Sequence, residues 1–183
     1  MAVSPKRICV HGASGSGKST LAGRLGAALD LPVTELDALY HQPGWTPLED
    51  EQFKAQAREV AGGETWVVEG NYSAVRPIFW ERAELIVVIN VPRWRVITQL
   101  TTRTLRRGIR REELWNGNRE HLRNLLSTNR ERNIVLWSWS THHRYRRAVQ
   151  DAARALGTAE VVELTSHRQG EALVAALAAA GQR

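Results

Sequence analysis

The stretch Gly12-Ala13-Ser14-Gly15-Ser16-Gly17-Lys18-Ser19 has the pattern G-x-x-x-x-G-K-[S/T], which is typical of a phosphate-binding loop. The apolar run at residues 7–11 precedes it and predicts a buried strand. Leu21, Leu25 and Leu29 follow it at helical spacing. A strand, a glycine-rich loop and a helix in this order are the context in which the pattern is meaningful.

Each part of this loop predicts a contact with a nucleotide. Its glycines allow backbone N–H groups to point inward at an anion, and the following helix N-terminus adds partial positive charge. We expect Lys18 to reach the β- and γ-phosphates of ATP and Ser19 to bind Mg²⁺. The predicted nucleotide-binding residues are Gly12, Ala13, Ser14, Gly15, Ser16, Gly17, Lys18, Ser19 and Thr20. The alternative is a glycine-rich turn that only joins a strand to a helix.

Length and composition limit the class of protein. The 183 residues are enough for one domain with its own core. Cys9 is the only cysteine, which excludes an intrachain disulfide and a multi-thiolate metal site. The N-terminus lacks the apolar segment of a signal peptide, and no apolar run approaches the ~20 residues of a membrane span. We therefore expect a soluble, cytoplasmic protein.

The positive charge is concentrated in one segment. The net charge is +6, but residues 91–150 hold fourteen Arg, no Lys and only four Glu. The guanidinium group of one arginine can bind two phosphate oxygens at once. The segment is therefore suited either to phosphorylated small molecules or to a nucleic-acid backbone.

Strand and helix patterns alternate along the chain, which predicts an α/β fold with a parallel sheet and helices on both faces. The predicted strands are residues 7–11, 32–36, 65–69, 84–91 and 159–164, and the most apolar of them, 84–91, is expected at the centre. Residues 46–49 (TPLE) have the pattern of a capping box and predict the start of a helix that ends at Gly62-Gly63. A helix is predicted at residues 93–107, where Gly108 interrupts the helical pattern. Further helices are predicted at 112–126, 144–156 and 169–180.

Two carboxylates follow predicted strands at the edge where parallel sheets bind ligands. Asp37 comes after the second strand and is a candidate general base or hydroxyl anchor. Glu69 ends the third strand, before Gly70, and is a candidate for holding Mg²⁺ or for accepting a proton from an attacking hydroxyl. The alternatives are a loop carboxylate that caps local backbone and an ordinary turn at a strand end.

Asn90 ends the fourth predicted strand, where phosphate-loop enzymes often have an Asp that supports Mg²⁺. Asparagine cannot supply that negative charge. The ligands of Mg²⁺ must then come from Ser19, the nucleotide phosphates and Glu69 or Asp37. Asn90 could instead be only a buried, hydrogen-bonded strand end.

Five arginines recur at helical spacing and would share one face of a continuous helix. They are Arg103, Arg106, Arg107, Arg110 and Arg111. We expect a lid over the nucleotide in which Arg103, Arg107 and Arg110 act on the transition state, with Gly108 as a hinge. The alternative is a solvated helix neutralised by nearby glutamates.

Seven tryptophans are many for this length. Four of them fall in predicted loop or lid regions, where they could stack on a base or a substrate ring, although packing is the alternative for each. These four are Trp45, Trp115, Trp137 and Trp139.

Four stretches together resemble a family of adenylate-kinase-related P-loop NTPases known as DNA topology modulation proteins. They are residues 12–20 (GASGSGKST), 36–39 (LDAL) with 43–45 (PGW), 66–72 (WVVEGNY) and 90–93 (NVPR). The resemblance implies a nucleoside-monophosphate-kinase-like fold with a five-stranded parallel sheet and an arginine-bearing lid. It also implies that Glu69 and Asn90 stand where relatives usually have Asp.

The sequence thus predicts one P-loop kinase-like domain over residues 1–183, with an acceptor-binding region at 37–62 and a lid at about 100–143. Its expected activity is ATP-dependent phosphate transfer, with Mg²⁺, to a small-molecule or nucleotide acceptor. In related folds the turn at residues 165–168 borders the base, so Arg168 is a further candidate for nucleotide binding. The rival prediction is a nucleotide-gated nucleic-acid-binding ATPase in which residues 91–150 grip a phosphate backbone. The oligomeric state is left open.

Overall fold

The computed structural model describes residues 4–110, 112–119 and 159–181. In chain order its elements are β1 (Arg7–Gly12), α1 (Lys18–Leu29), β2 (Val33–Glu35), α2 (Leu36–Tyr40), β3 (His41–Gln42), a 3₁₀ turn (Pro43–Trp45), β4 (Thr46–Pro47), α3 (Asp50–Gly62), β5 (Trp66–Glu69), α4 (Arg76–Trp80), β6 (Leu85–Ile89), α5 (Arg93–Arg110), a second 3₁₀ turn (Trp115–Gly117), β7 (Glu160–Leu164) and α6 (His167–Gly181).

Five of these strands form one parallel sheet in the order β2-β5-β1-β6-β7. The predicted α/β fold with a five-stranded parallel sheet is confirmed. The expectation that the strand at 84–91 is central is wrong, because β1 occupies the middle of the sheet. Parallel pairing aligns the strand ends, with Val10 opposite Glu69 and Glu69 opposite Glu35. The phosphate loop therefore lies beside the carboxylates that end the neighbouring strands.

The two faces of the sheet carry separate hydrophobic layers. One layer packs Phe53, Trp66 and Phe79 from the α3 and α4 side. The other packs α1 and α6 on β1 and β6 through residues such as Leu25 and Val87. None of the helices described is long and apolar enough to cross a lipid bilayer.

The region after β2 differs from the prediction. Leu36 starts the short helix α2 instead of ending the strand, so Asp37 lies in a helix rather than a loop. The predicted capping box at residues 46–49 is also wrong, because Thr46 and Pro47 pair with the strand β3 in a small hairpin. The helix α3 begins at Asp50 without a side-chain cap and ends, as predicted, at Gly62.

The helix that carries the arginines is longer than predicted. α5 continues through Gly108 to Arg110, so Gly108 does not interrupt it. Residues 112–119 form a 3₁₀ turn and an isolated bridge between Glu113 and Arg119, rather than the predicted helix. Residue 111, the rest of that helix and the helix predicted at 144–156 lie outside the described residues.

Candidate nucleotide and acceptor site

The phosphate loop lies between β1 and α1, as its pattern predicts. Gly15 has φ 86°, and a Cβ there would lie 2.8 Å from both Leu100 Cβ and the Val96 carbonyl oxygen. Any larger residue would therefore collide with α5. This close approach packs the arginine-bearing helix directly on the phosphate loop.

Lys18 and Ser19 converge on Glu69 from the first turn of α1. The Lys18 Nζ lies 3.3 Å from Glu69 Oε2, and the Ser19 hydroxyl donates to Glu69 Oε1 at 2.8 Å. Lys18 is 7% exposed and Glu69 is 1% exposed. Burial raises the pKa of Glu69, while Lys18 and the Ser19 hydrogen bond act in the opposite direction. The structure thus brings together three residues that the sequence assigned to phosphate, metal and proton chemistry.

A cavity of about 500 Å³ opens over the phosphate loop. Its wall includes Lys18 and Ser19 on one side and Arg103 and Arg107 of α5 on another. Further lining residues are Arg24, Gln99, Arg106, Ser166 and His167. Arg110 and Arg168 are not among the lining residues, so their predicted roles in catalysis and nucleotide binding have no support from the cavity geometry.

The arginine face of α5 is partly neutralised. Glu112 lies 3.6 Å from Arg106, 3.9 Å from Arg107 and 4.0 Å from Arg110. These three contacts match the alternative prediction, in which nearby glutamates neutralise the arginines of a solvated helix. Arg103 and Arg107 also line the cavity, and their action on the transition state stays a prediction.

A buried histidine ties the turn at residues 69–72 to the end of β1. Trp80 Nε1 can only donate, so His11 Nε2 accepts its hydrogen bond at 2.8 Å, and His11 Nδ1 donates to the Gly70 carbonyl at 2.7 Å. Burial lowers the pKa of His11 to about 4, so the ring is neutral near pH 7. The Asn71 side chain completes the connection by accepting from the Gly12 N–H at 3.3 Å and donating to the Gly12 carbonyl at 2.5 Å.

Asp37 of α2 is hydrogen-bonded to Tyr72, which belongs to the turn at residues 69–72. The Tyr72 hydroxyl donates to Asp37 Oδ1 at 2.7 Å. Burial, with Asp37 beside it, raises the pKa of Tyr72, so the phenol keeps its proton. Asp37 is therefore held in place with its carboxylate able to accept a further hydrogen bond.

Asn90 is a buried, hydrogen-bonded strand end, as the alternative predicted. It is 8% exposed, its N–H donates to the Leu164 carbonyl at 2.7 Å, and its amide donates to the Glu163 carboxylate. The neighbouring strand therefore places a carboxylate next to the position where Asp was expected.

The donors present suit Mg²⁺. The Ser19 hydroxyl and the Glu69 carboxylate are hard oxygen ligands of the kind this ion prefers, and they lie 2.8 Å apart beside the phosphate loop. These two residues would hold the ion, which would supply positive charge against the phosphate oxygens of a bound nucleotide.

Two solved structures that are similar to this chain are kinases. A gluconokinase from Sinorhizobium meliloti 1021 is similar to this chain with a TM-score of 0.54 and 20% sequence identity, over 97% of this chain and 96% of that one. A shikimate kinase from Bacteroides thetaiotaomicron is similar with a TM-score of 0.55 and 17% identity, over 94% and 96%. No protein-family model and no curated protein matches the sequence. The chain thus has the α/β fold of P-loop kinases, whereas the resemblance to DNA topology modulation proteins stays a prediction.

Several contacts at the site had no sequence signal of their own. His167 Nε2 lies 3.1 Å from the Ser16 carbonyl oxygen, although 151 positions separate the two residues. The bond between Trp115 Nε1 and Glu35 Oε2, at 2.9 Å, likewise joins distant segments. Tyr72 and Asn71 belonged to a recognised stretch, but their contacts with Asp37 and Gly12 required the fold.

Proposed function

We propose that this protein is an ATP-dependent phosphotransferase acting on a small-molecule acceptor. The contacts of Lys18 and Ser19 with Glu69, together with the position of Lys18 and Ser19 in the wall of the cavity, support this proposal most strongly. Phosphate transfer depends on positioning and charge neutralisation more than on covalent chemistry. These side chains, with the nearby arginines, supply both.

In this proposal the phosphate loop and Lys18 bind the nucleotide phosphates. Arg103 and Arg107 face the same cavity and stabilise charge that develops on the transferred group. Asp37 or Glu69 orients the acceptor hydroxyl or takes its proton. The acceptor lies between α2, α3 and the turn at residues 69–72, and closure of the lid region keeps water from competing.

The direct test is a screen of small hydroxyl compounds with ATP and Mg²⁺, read by mass spectrometry. We expect one product that is 80 Da heavier than its acceptor, together with one ADP for each product formed. Nucleotide hydrolysis stimulated by DNA or RNA, with no phosphorylated product from any compound, would favour the nucleic-acid-binding ATPase instead.

A further inference from the structure

The first turn of α6 is held by reciprocal hydrogen bonds between side chains and backbone. Ser166 lies directly before the helix, and its hydroxyl oxygen accepts from the Gln169 N–H at 3.3 Å. Gln169 Oε1 in turn accepts from the Ser166 N–H at 3.2 Å and from the Thr165 N–H at 2.7 Å. This is the arrangement of a capping box. It fixes the backbone from which the His167 side chain extends.

His167 reaches the phosphate loop from this turn. Its Nε2 lies 3.1 Å from the Ser16 carbonyl oxygen. A carbonyl oxygen can only accept, so Nε2 carries a proton and donates it to this bond. The ring also packs on the next residue of the loop, because a Cβ at Gly17 would lie 3.3 Å from His167 Nε2 and 3.7 Å from its Cδ2. One side chain of α6 therefore contacts both residues of the Ser16–Gly17 peptide bond.

The carbonyl that His167 binds belongs to a fully buried residue. Ser16 has 0% exposure, although it lies in a loop between a strand and a helix. A buried backbone carbonyl without a hydrogen-bond partner is costly, because water cannot reach it to take the place of that partner. The donation from His167 thus stabilises the one orientation of this carbonyl in which it faces α6.

The direction of this carbonyl also sets the direction of an N–H group of the phosphate loop. The Ser16–Gly17 peptide bond is trans, so its C=O and its N–H point in opposite directions. Because the Ser16 carbonyl faces α6, the Gly17 N–H points away from α6. Gly17 has φ 92° and ψ 15°, in the left-handed region. Residues in this conformation turn successive N–H groups towards one anion in phosphate-binding loops.

We propose that His167 is a positioning residue for the phosphate loop: by holding the Ser16 carbonyl, it presets the Gly17 N–H for the phosphate groups of the nucleotide. This inference rests on the proposed phosphotransferase function. His167 lines the same cavity as Lys18, but it acts through the loop. Its contribution therefore falls on the phosphate part of the ligand and not on the nucleoside part.

The test compares the binding of ATP and of inorganic tripolyphosphate, both with Mg²⁺, by calorimetry. His167→Phe keeps a ring against the loop but has no donor, and His167→Gln places an amide N–H near the position of Nε2. We expect His167→Phe to weaken the binding of both ligands about threefold to tenfold, the effect of one hydrogen bond, and His167→Gln to recover most of it. Unchanged affinity for both ligands in a folded His167→Phe variant overturns the inference. A loss confined to ATP also overturns it, because His167 would then act on the nucleoside.

A second pair of variants tests the same claim from the capping box. Gln169→Ala removes the acceptor for the N–H groups of Thr165 and Ser166 and should reproduce part of the loss for tripolyphosphate, whereas Gln169→Glu keeps an oxygen there and should not. If His167→Phe does not fold, equal tripolyphosphate affinity in these two variants overturns the inference.

The control and the wild-type chain separate this inference from the function on which it rests. Gln52→Phe, which introduces the same ring at an exposed position of α3, is the matched control and should bind both ligands as the wild type does. A wild-type chain that binds ATP but not tripolyphosphate overturns the inference alone, since the loop is then not preset for phosphate. A wild-type chain that does not bind ATP refutes the proposed function, and the inference with it.

Discussion

The side-chain nitrogen of Lys18 lies 3.3 Å from Oε2 of Glu69, and both side chains are almost completely buried. The pair joins the phosphate loop to the end of the neighbouring strand β5. A buried cation and anion stabilise each other only while both are present. The residue proposed to bind phosphate therefore depends on the residue proposed to help hold Mg²⁺.

This pairing predicts strong coupling in stability. Lys18→Met or Glu69→Gln alone leaves one buried charge without its partner and should lower the free energy of unfolding by about 3–5 kcal/mol. The double variant removes both charges and should lose clearly less than the sum of the two single changes. Urea denaturation of the four proteins measures this, and strictly additive losses would show that the ion pair is not coupled.

The carboxylates of Asp37 and Glu69 should have separable effects on activity. Asp37→Asn keeps an oxygen for Tyr72 but loses the base, so acceptor phosphorylation should fall about 10²–10⁴-fold with unchanged ATP affinity. Glu69→Gln should in addition raise the Mg²⁺ concentration needed for half-maximal rate. Steady-state kinetics and Mg²⁺ titration test this, with Asp50→Asn at an exposed position of α3 as the matched control. Wild-type turnover in both variants would place the chemistry elsewhere.

Acid should destabilise the protein through His11. Its pKa is lowered by burial from 6.5 to about 4, so below pH 6.5 the unfolded chain binds this proton more readily than the folded chain. Stability is therefore lost as the pH falls from 6.5 towards 4, by about 3 kcal/mol from this group. Urea denaturation across this range should show a shallower pH dependence for His11→Asn than for wild type. Parallel curves would mean that His11 is not the responsible group.

The arginine face of α5 distinguishes the two candidate functions. In a kinase, Arg103→Ala or Arg107→Ala should reduce turnover by ~10²-fold or more with little change in ATP affinity, because these residues line the cavity. Arg110→Ala should have a smaller effect, since that side chain lies outside the cavity lining. The control is Arg58→Ala, at an exposed position of α3.

The rival function predicts a different pattern for the same variants. In a nucleic-acid-binding protein, each arginine removed should weaken DNA or RNA binding by a similar modest step and reduce the salt slope by about one unit. Such graded losses, without phosphorylation of any acceptor, would contradict the kinase proposal.

Local patterns were sufficient to predict the phosphate loop and the sheet around it. The loop pattern, the apolar strands and the spacing of Leu21, Leu25 and Leu29 are all short-range signals. The position of Glu69 at a strand end followed from the general geometry of parallel sheets. The short helix α2 was missed because five residues are too few to show a helical period.

The remaining errors come from contacts between distant segments. Thr46 and Glu49 have the spacing of a capping box, but pairing of Thr46 with Gln42 in a hairpin takes precedence over that local pattern. The hydrogen bond between Trp115 and Glu35 also could not be predicted, because 80 positions separate the two residues. Such contacts depend on how whole elements pack, and no short stretch of sequence encodes them.

The central claim is that the phosphate loop binds ATP for transfer, and Lys18 tests it most directly. The measurement compares ATP affinity and acceptor phosphorylation in wild type, Lys18→Met and the control Lys54→Met, which removes only a surface lysine paired with Glu51. Circular dichroism at the assay temperature confirms that each variant is folded. We predict that Lys18→Met abolishes phosphorylation and that Lys54→Met behaves as wild type. Equal ATP affinity and turnover in a folded Lys18→Met variant would contradict the assignment.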